Sequence, residues 1–156
     1  MNRPYQILFF IILSYCVNFN FVEAKHNYGN LYVQKVIRVH DGDTFIVDID
    51  NVHSLIGKGV SVRINGIDAP EITDKREEVH KLAIASRDYV INRLENAHVI
   101  ELCNLQRDKY FRLLADVYLD GINLADELIK AGLAQPYDGK KKPNWNSEND
   151  SIGFYR

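Results

Sequence analysis

One short stretch constrains the fold more than any other, because it joins two strand-like runs through a tight turn. Residues 36–48 read Val-Ile-Arg-Val-His-Asp-Gly-Asp-Thr-Phe-Ile-Val-Asp. The runs on both sides of Asp41-Gly42-Asp43 are rich in β-branched residues, so the pattern predicts a β-hairpin with carboxylates at its bend. Asp and Gly are common in turns that bind nothing, so this stretch alone leaves both a metal site and a plain turn open.

Two further stretches bring charged residues to the ends of predicted strands. Residues 62–71 read Val-Arg-Ile-Asn-Gly-Ile-Asp-Ala-Pro-Glu, which places Arg63 on a strand that ends in Asp68 and Glu71. Residues 107–115 read Arg-Asp-Lys-Tyr-Phe-Arg-Leu-Leu-Ala, which places Arg112 in a basic cluster at the entrance to another strand. Acids and arginines delivered in this way are what metal-assisted cleavage of a phosphodiester requires.

The hydrophobic pattern predicts the remaining elements. Strands are expected at 31–39, 44–49, 60–67, 98–103 and 111–119, with a loop at 50–59. Helices are expected at 75–95, capped by Thr73 or Asp74, and at 124–131, capped by Asn123 and ended by Gly132. Five short strands with a helix between the third and fourth is the order of an OB-fold. The predicted fold class is therefore α+β, a five-stranded OB-fold barrel with two or three helices.

The first 24 residues have the pattern of a secretory signal peptide. Arg3 precedes an apolar run, and Val22-Glu23-Ala24 resembles a small-residue cleavage site. We expect cleavage after Ala24, which makes the protein secreted or periplasmic; an uncleaved anchor is the alternative. Residues 25–137 then form the domain and 138–156 a polar tail. Its lysines beside Trp145 could contact nucleic acid, but a solvated tail is the favoured interpretation.

Charge and cysteine content limit the class of protein. The formal net charge is −2, which argues against a protein that coats nucleic acid with its whole surface. It is compatible with an enzyme that has a local basic cleft. The two cysteines are Cys16 and Cys103, and the first would leave with the leader. An internal disulfide is then impossible, so hydrophobic burial must hold the mature domain together.

Together, the three charged stretches resemble those of the thermonuclease family, the secreted calcium-dependent nucleases of the staphylococcal nuclease type. The resemblance runs from about Val33 to Tyr137 and keeps the family's order of motifs. It implies an OB-fold that cleaves both DNA and RNA with one Ca²⁺ and leaves 3′-phosphates and 5′-hydroxyls. DNA and RNA are then the expected partners of a monomer that has no stable protein partner and, after cleavage of its leader, no membrane contact.

The resemblance also assigns the metal ligands. Asp43 and Asp68 match the family's calcium-binding carboxylates, and Ala69 matches a residue that offers its backbone carbonyl. Oxygen ligands of this kind suit the hard Ca²⁺ ion. Asp41 matches a nearby acid that orients the ligands, and the alternative is that it only forms the turn.

Catalytic and nucleotide contacts are assigned in the same way. Glu71 matches the carboxylate that activates or positions the attacking water, and its alternative role is a favourable charge at a helix entry. Arg63 and Arg112 match the arginines that grip the scissile phosphate, although arginines on strands are often only solvated. The nucleotide contacts fall on three further residues: Lys109, Tyr110 and Tyr137.

Two departures from the family pattern affect the expected rate. Phe111 stands where the best-known members have glycine, so we expect a more crowded approach to Arg112. The segment after Glu71 is also shorter than the family's mobile loop. The alternative function is therefore a nuclease-like OB module that binds nucleic acid without cutting it, although such modules lose the acids or arginines that are present here.

Overall fold

The computed structural model describes residues 28–145. The predicted leader, its cleavage site and the tail beyond Trp145 lie outside these residues. Within them, no helix is both long and apolar enough to cross a bilayer.

Residues 28–145 contain eight strands. They are β1 (Leu31–Asp41), β2 (Thr44–Ile49), β3 (Val60–Ile64), β4 (Ile67–Asp68), β5 (Ile100–Arg107), β6 (Leu113–Leu119), β7 (Ile122–Asn123) and β8 (Gln135–Pro136). One sheet has the order β3-β2-β1-β5-β6-β7, and a parallel pairing of β3 with β6 closes its first five strands into a barrel. A separate two-stranded sheet pairs β4 with β8. The predicted five-stranded OB-fold barrel is confirmed.

The same described part of the chain contains three helices: α1 (Ser54–Gly57), α2 (Glu77–Asn96) and α3 (Leu124–Lys130). Helix α2 buries one stripe of residues three or four positions apart, which is the spacing of a single helical face: Val79, Ala83, Ser86, Val90 and Leu94. The Asn123 side chain caps α3 by accepting bonds from the backbone N–H groups of Ala125 and Asp126, as predicted. Gly132 follows α3 at a φ of 68°, a conformation that glycine adopts at little cost.

Alternate residues of the barrel strands point inward and form the core. In β6 the odd-numbered positions from Leu113 to Leu119 are all buried, and the even-numbered ones are partly exposed. Phe45, Val62 and Leu102 from three other strands are fully buried against them. The barrel interior is thus filled by side chains, and the charged residues gather at one end of it.

Two element boundaries predicted from the sequence are wrong, one at the end of the third strand and one at the start of α2. The third strand was expected to run to Ile67, but it stops at Ile64 because Gly66, at a φ of 82°, turns the chain before β4 begins. The expected cap of α2 is also wrong: Arg76 precedes the helix without a side-chain cap, and Asp74 instead accepts from the Arg76 backbone N–H at 2.9 Å. The loop 50–59 contains the short α1.

The two strands on either side of the basic cluster also differ from expectation. The fourth predicted strand extends to Arg107 rather than ending at Cys103, and the fifth begins at Leu113 rather than Phe111. Asn104 takes a positive φ within β5, where the register with β6 shifts. The basic cluster therefore lies in a tight loop between two long paired strands, which fixes its position relative to the barrel.

Candidate active site

The bend between β1 and β2 carries two buried acids. Asp41 is 7% exposed and Asp43 is 2% exposed. Asp41 Oδ1 accepts from the Asp43 backbone N–H at 3.4 Å, so the first acid helps to shape the bend. Gly42 between them packs so tightly on α2 that a Cβ at this position would lie 1.9 Å from Ser86 Oγ. Glycine is therefore required for close approach, and α2 backs the acidic bend.

Substituting this glycine tests that packing. We expect Gly42→Ala to destabilise the folded protein by about 1–3 kcal/mol, the usual cost of overpacking. Urea unfolding of both proteins measures the effect. Ser86→Gly removes the two atoms nearest the new methyl group, so the loss caused by Gly42→Ala should be smaller when Ser86→Gly is already present. An equal loss in both backgrounds would show that Ser86 is not the source of the strain.

Arg63 joins the bend to the next acid. Its backbone lies opposite Thr44 in the β2–β3 ladder. Its Nη1 donates to Asp43 Oδ1 at 2.5 Å, and its Nη2 donates to Asp68 Oδ1 at 3.2 Å. The other Asp43 oxygen accepts from the Ala69 backbone N–H at 2.9 Å. The structure thus brings together Asp43, Arg63, Asp68 and Ala69, four of the residues singled out in the sequence.

Negative charge exceeds positive charge in this cluster. Within residues 28–145, the buried anions are Asp41, Asp43 and Asp68, and the buried cation is Arg63. Burial raises the pKa of Asp43 to about 7, and the charge of Asp41 adds to this, although Arg63 opposes it. Burial also disfavours the charge on Arg63, but Asp43 and Asp68 outweigh that effect and raise the pKa of Arg63. An excess of buried carboxylates favours binding of a cation.

Oxygen donors with excess negative charge fit a hard divalent cation such as Ca²⁺. In the part of the chain that the structure describes, however, no three His, Cys, Asp or Glu side chains converge as a ready-made cage. The oxygens of Asp43 and Asp68 are instead engaged by N–H and O–H groups of the protein. A metal at this position would have to replace some of these donors.

Arg112 reaches the same cluster from the β5–β6 loop. Its Nε donates to Asp108 Oδ2 at 2.7 Å, and its Nη1 lies 3.5 Å from Thr44 Oγ1. That hydroxyl donates to Asp43 Oδ1 at 2.8 Å, so Thr44 connects the arginine to the acidic bend. Asp108 and Thr44 were missed in the sequence. The spacing of Asp108 and Arg112, four residues apart in a loop, was the signal that could have indicated the first of them.

Lys109 and Tyr110 lie beside Arg112, as the sequence suggested. The guanidinium carbon of Arg112 lies 5.3 Å from the centroid of the Tyr110 ring, and Lys109 Nζ lies 5.1 Å from it. Tyr110 is 68% exposed. The Phe111 ring, which was expected to crowd Arg112, lies against Arg107, whose guanidinium carbon is 4.6 Å from the ring centroid. The loop therefore presents an accessible aromatic ring next to Arg112.

Tyr137 is placed near the cluster by backbone pairing. Its N–H donates to the Gly66 carbonyl at 2.9 Å, two residues beyond the pairing of Gln135 with Asp68. The residue is partly buried. Its side chain makes no recorded contact with the acids or arginines of the described site. The backbone pairing therefore places Tyr137 near the cluster, but no side-chain contact assigns it a role there.

Glu71 lies at the exposed mouth of the cluster, together with a segment that sequence reasoning missed. Lys142 Nζ lies 2.7 Å from Glu71 Oε1 and 3.4 Å from Asp68 Oδ1. Trp145 Nε1 donates to Asp68 Oδ2 at 3.1 Å. Burial disfavours the charged Lys142, but Glu71 and Asp68 outweigh it and raise the pKa of Lys142. The prediction of a solvated tail is wrong for Lys142–Trp145, which we call the strap.

Comparisons with known proteins point in one direction. The family model described as staphylococcal nuclease homologue matches residues 61–152. The thermonuclease of Staphylococcus hyicus is 35% identical over 116 residues, which cover 74% of this chain, and that of Staphylococcus intermedius is 35% identical over 108 residues, which cover 69%. This chain spans 65% and 60% of the length of those two relatives. An uncharacterized endonuclease of Haemophilus influenzae is 29% identical over 103 residues, 66% of this chain and 51% of its own length.

Proposed function

Because the chain belongs to the staphylococcal nuclease homologue family, we propose that it is a hydrolytic nuclease that cleaves phosphodiester bonds of DNA and RNA with one Ca²⁺. The observation that carries the proposal is the joining of a buried acidic cluster to Arg112 through Thr44. Acids that could hold a cation and an arginine that could hold a phosphate thus meet at one end of the barrel.

The proposed metal ligands are Asp43, Asp68 and the backbone carbonyl of Ala69, with Asp41 shaping the bend. Both carboxylates contact the same guanidinium, which supports the proposal that they bind one shared ion. When bound, Ca²⁺ makes a coordinated water more acidic and offsets the charge of the phosphate. Arg63 and the Ala69 N–H keep the carboxylates oriented before the ion arrives.

The remaining residues perform the proton and charge steps. Glu71 accepts a proton from the attacking water, whose oxygen forms a bond to phosphorus while the bond to the 5′-oxygen breaks and that oxygen takes a proton from solvent. The products are a 3′-phosphate and a 5′-hydroxyl. Arg63 and Arg112 stabilise the negative charge that gathers on the phosphate oxygens. Arg112 is less buried than Arg63 and lies next to Tyr110, so it is the better placed of the two to meet the leaving group.

Nucleotide contacts follow from the same loop. Tyr110 is exposed and offers a face for stacking that does not depend on base identity. Lys109 beside it meets flanking phosphates, which adds affinity without sequence preference. We further propose that the protein is exported through its N-terminal leader and acts as a monomer. We also propose that Tyr137 contacts the bound nucleotide.

A cleavage assay tests this function directly. The chain from Lys25 onward is incubated with a labelled single-stranded DNA and a labelled RNA, first with Ca²⁺ and then with EGTA. We expect calcium-dependent cleavage of both nucleic acids. The products should carry a 3′-phosphate that a 3′-phosphatase removes. Binding without cleavage in Ca²⁺ would instead identify an OB module that holds nucleic acid.

The raised pKa of Asp43 predicts how calcium binding depends on pH. The carboxylate must lose its proton to bind the ion, and its pKa is about 7. We therefore expect calcium affinity to fall by up to about tenfold per pH unit below 7, and to be nearly constant above pH 8. Calorimetry between pH 5.5 and 8.5 measures this. In Asp43→Asn the remaining affinity should lose that pH dependence, and an unchanged profile would assign the proton to another group.

The raised pKa of Asp43 also determines how the stability of the calcium-free protein changes with pH. Because the folded-state pKa of Asp43 lies above the usual carboxyl value of 3.8, the folded protein binds more protons than the unfolded chain between about pH 4 and 7. This residue therefore destabilises the folded protein progressively as pH rises through that range.

A further inference from the structure

Phe111 occupies a backbone conformation that suits glycine. Its φ is 66°, a left-handed value that a bulky side chain rarely adopts. The loop holds it there by two backbone bonds, from Phe111 N–H to the Asp108 carbonyl and from Asp108 N–H to the Arg112 carbonyl. The residue is 76% exposed, so packing in a core does not explain why a large side chain is kept at this position. Strain of this kind tends to persist at functional sites.

The contacts of the ring indicate what it could do. The Arg107 guanidinium lies 4.6 Å from the ring centroid, and Arg107 Nη1 donates to the Phe111 carbonyl at 2.9 Å. Both contacts orient an aromatic ring that is largely open to water. Its chain neighbours are Tyr110 and Arg112, the aromatic ring and the phosphate-binding arginine of the proposed site. Two exposed aromatic residues thus follow one another in the loop that carries Arg112.

We propose that Phe111 stacks on a base of the bound strand near the scissile phosphate, as a second aromatic platform beside Tyr110. The proposal rests on the proposed function only in requiring a single-stranded nucleic acid at this loop. Every base has an aromatic face, so the contact adds affinity for single strands without choosing a sequence.

Binding in EGTA tests the platform without any cleavage. Fluorescence anisotropy with a short single-stranded DNA should show about tenfold weaker binding for Phe111→Leu, which keeps an apolar side chain and loses the ring. Ile122→Ala is the matched control, since Ile122 is 51% exposed and lies beyond the far end of β6 from Arg112. It should bind as the wild type does.

Abasic substitutions identify the stacked base. Removing one base at a time should reveal a position at which wild type and Phe111→Leu bind equally well. Equal affinity of the two proteins for the intact strand would overturn the platform, even if the wild type cleaves. A wild type that binds with a Phe111-dependent affinity but never cleaves would retain the platform and refute the nuclease proposal.

A different observation, the contacts of the strap, carries a second inference. Asp68 Oδ1 accepts from Arg63 and lies 3.4 Å from Lys142 Nζ, while Asp68 Oδ2 accepts from Trp145. The Lys142 ammonium also contacts Glu71 at 2.7 Å. The far end of the strap is held by Arg76, whose Nη1 donates to the Trp145 carbonyl at 2.8 Å. A cation of the protein itself thus bridges a proposed metal ligand and the proposed base.

We infer that the strap is an autoinhibitory contact, which Ca²⁺ displaces when it binds. An ammonium and a divalent ion beside the same carboxylates repel each other, and Lys142 occupies one of the two oxygens of Glu71. The inference rests on the proposed metal site. Because Lys142 is about half exposed, its hold is modest and reversible.

Trp145 is the chain's only tryptophan, so its fluorescence reports on the strap directly. Calcium titration of the full chain should shift its emission toward the red as the indole leaves Asp68 for water, with saturation at the stoichiometry found by calorimetry. In Lys142→Ala, calorimetry should show a calcium affinity about two- to fivefold higher. Lys141→Ala is the control, because that exposed lysine has no recorded contact with the acids, and its affinity should be unchanged.

Measurements of calcium binding test the strap without any cleavage assay. Suppose that calcium binding saturates without a change in Trp145 emission and that Lys142→Ala has no higher calcium affinity. This result would refute the autoinhibitory role of the strap and would leave the proposed metal site standing. An absence of any calcium binding, in wild type and Lys142→Ala alike, would refute both the proposed metal site and the displacement. Neither result depends on whether nucleic acid is cleaved.

Discussion

Replacing Glu71 by glutamine should lower the turnover number by about 100- to 10,000-fold, the usual contribution of a positioned general base. The amide keeps the size of the side chain but cannot accept the proton of the attacking water. Glu71 is exposed and its recorded side-chain partner is Lys142 at 2.7 Å, so folding should be little affected. Cleavage kinetics with excess Ca²⁺, together with DNA binding in EGTA, separate the chemical step from substrate affinity.

Glu77→Gln is the matched control for that experiment. Glu77 is another exposed glutamate, in the first turn of α2, and it pairs with Lys81 on the helix surface. Its substitution should leave turnover within about twofold, because an exposed pair of this kind contributes little. Similar turnover numbers for Glu71→Gln and the wild type would remove Glu71 from the mechanism.

Replacing Arg63 by alanine should produce the largest loss of stability. The substitution leaves Asp43 and Asp68 buried without their shared counter-charge, and breaking a buried ion pair in this way costs about 3–5 kcal/mol. The loss should be greater at pH 8 than at pH 5, because Asp43 can take up a proton at the lower pH and relieve the repulsion. Urea unfolding at the two pH values measures both effects.

Arg63→Lys supplies the control, since it keeps the charge and loses the fork that contacts two carboxylates at once. Its stability should lie between those of wild type and Arg63→Ala. Calcium should restore part of the stability of Arg63→Ala by neutralising the same carboxylates. A variant as stable as the wild type at pH 8 would contradict the view that Arg63 balances the buried charge.

Much of the site was predictable because its residues lie in or next to strands of clear alternation. The inward positions of β2, β3 and β6 were visible in the sequence, and they place Asp43, Arg63 and Arg112 at strand ends that the barrel brings together. The resemblance to the thermonuclease family, carried by those same stretches, is confirmed by the family match. The OB-fold followed from the order of the elements.

What could not be predicted depends on contacts between residues far apart in the chain. Lys142 and Trp145 lie more than seventy positions after the acids that they contact, and no periodicity links a polar segment to a distant carboxylate. The turn at Gly66 was missed because the strand was extended to Ile67, although the two-residue alternation of Val60, Val62 and Ile64 does not continue to that residue. Thr44 was counted only as a strand residue, although its hydroxyl lies between Arg112 and Asp43.

The parallel pairing of β3 with β6 has a consequence for when activity can arise during folding. The pair joins Val62 to Leu113, so it closes a loop that contains α2 and β5. Closing so long a loop is an entropically costly, late event. Asp43 and Arg63 share a local hairpin and can associate early, but Arg112 reaches Thr44 only after closure. The proposed site, which needs both Asp43 and Arg112, is therefore complete only after the barrel has closed.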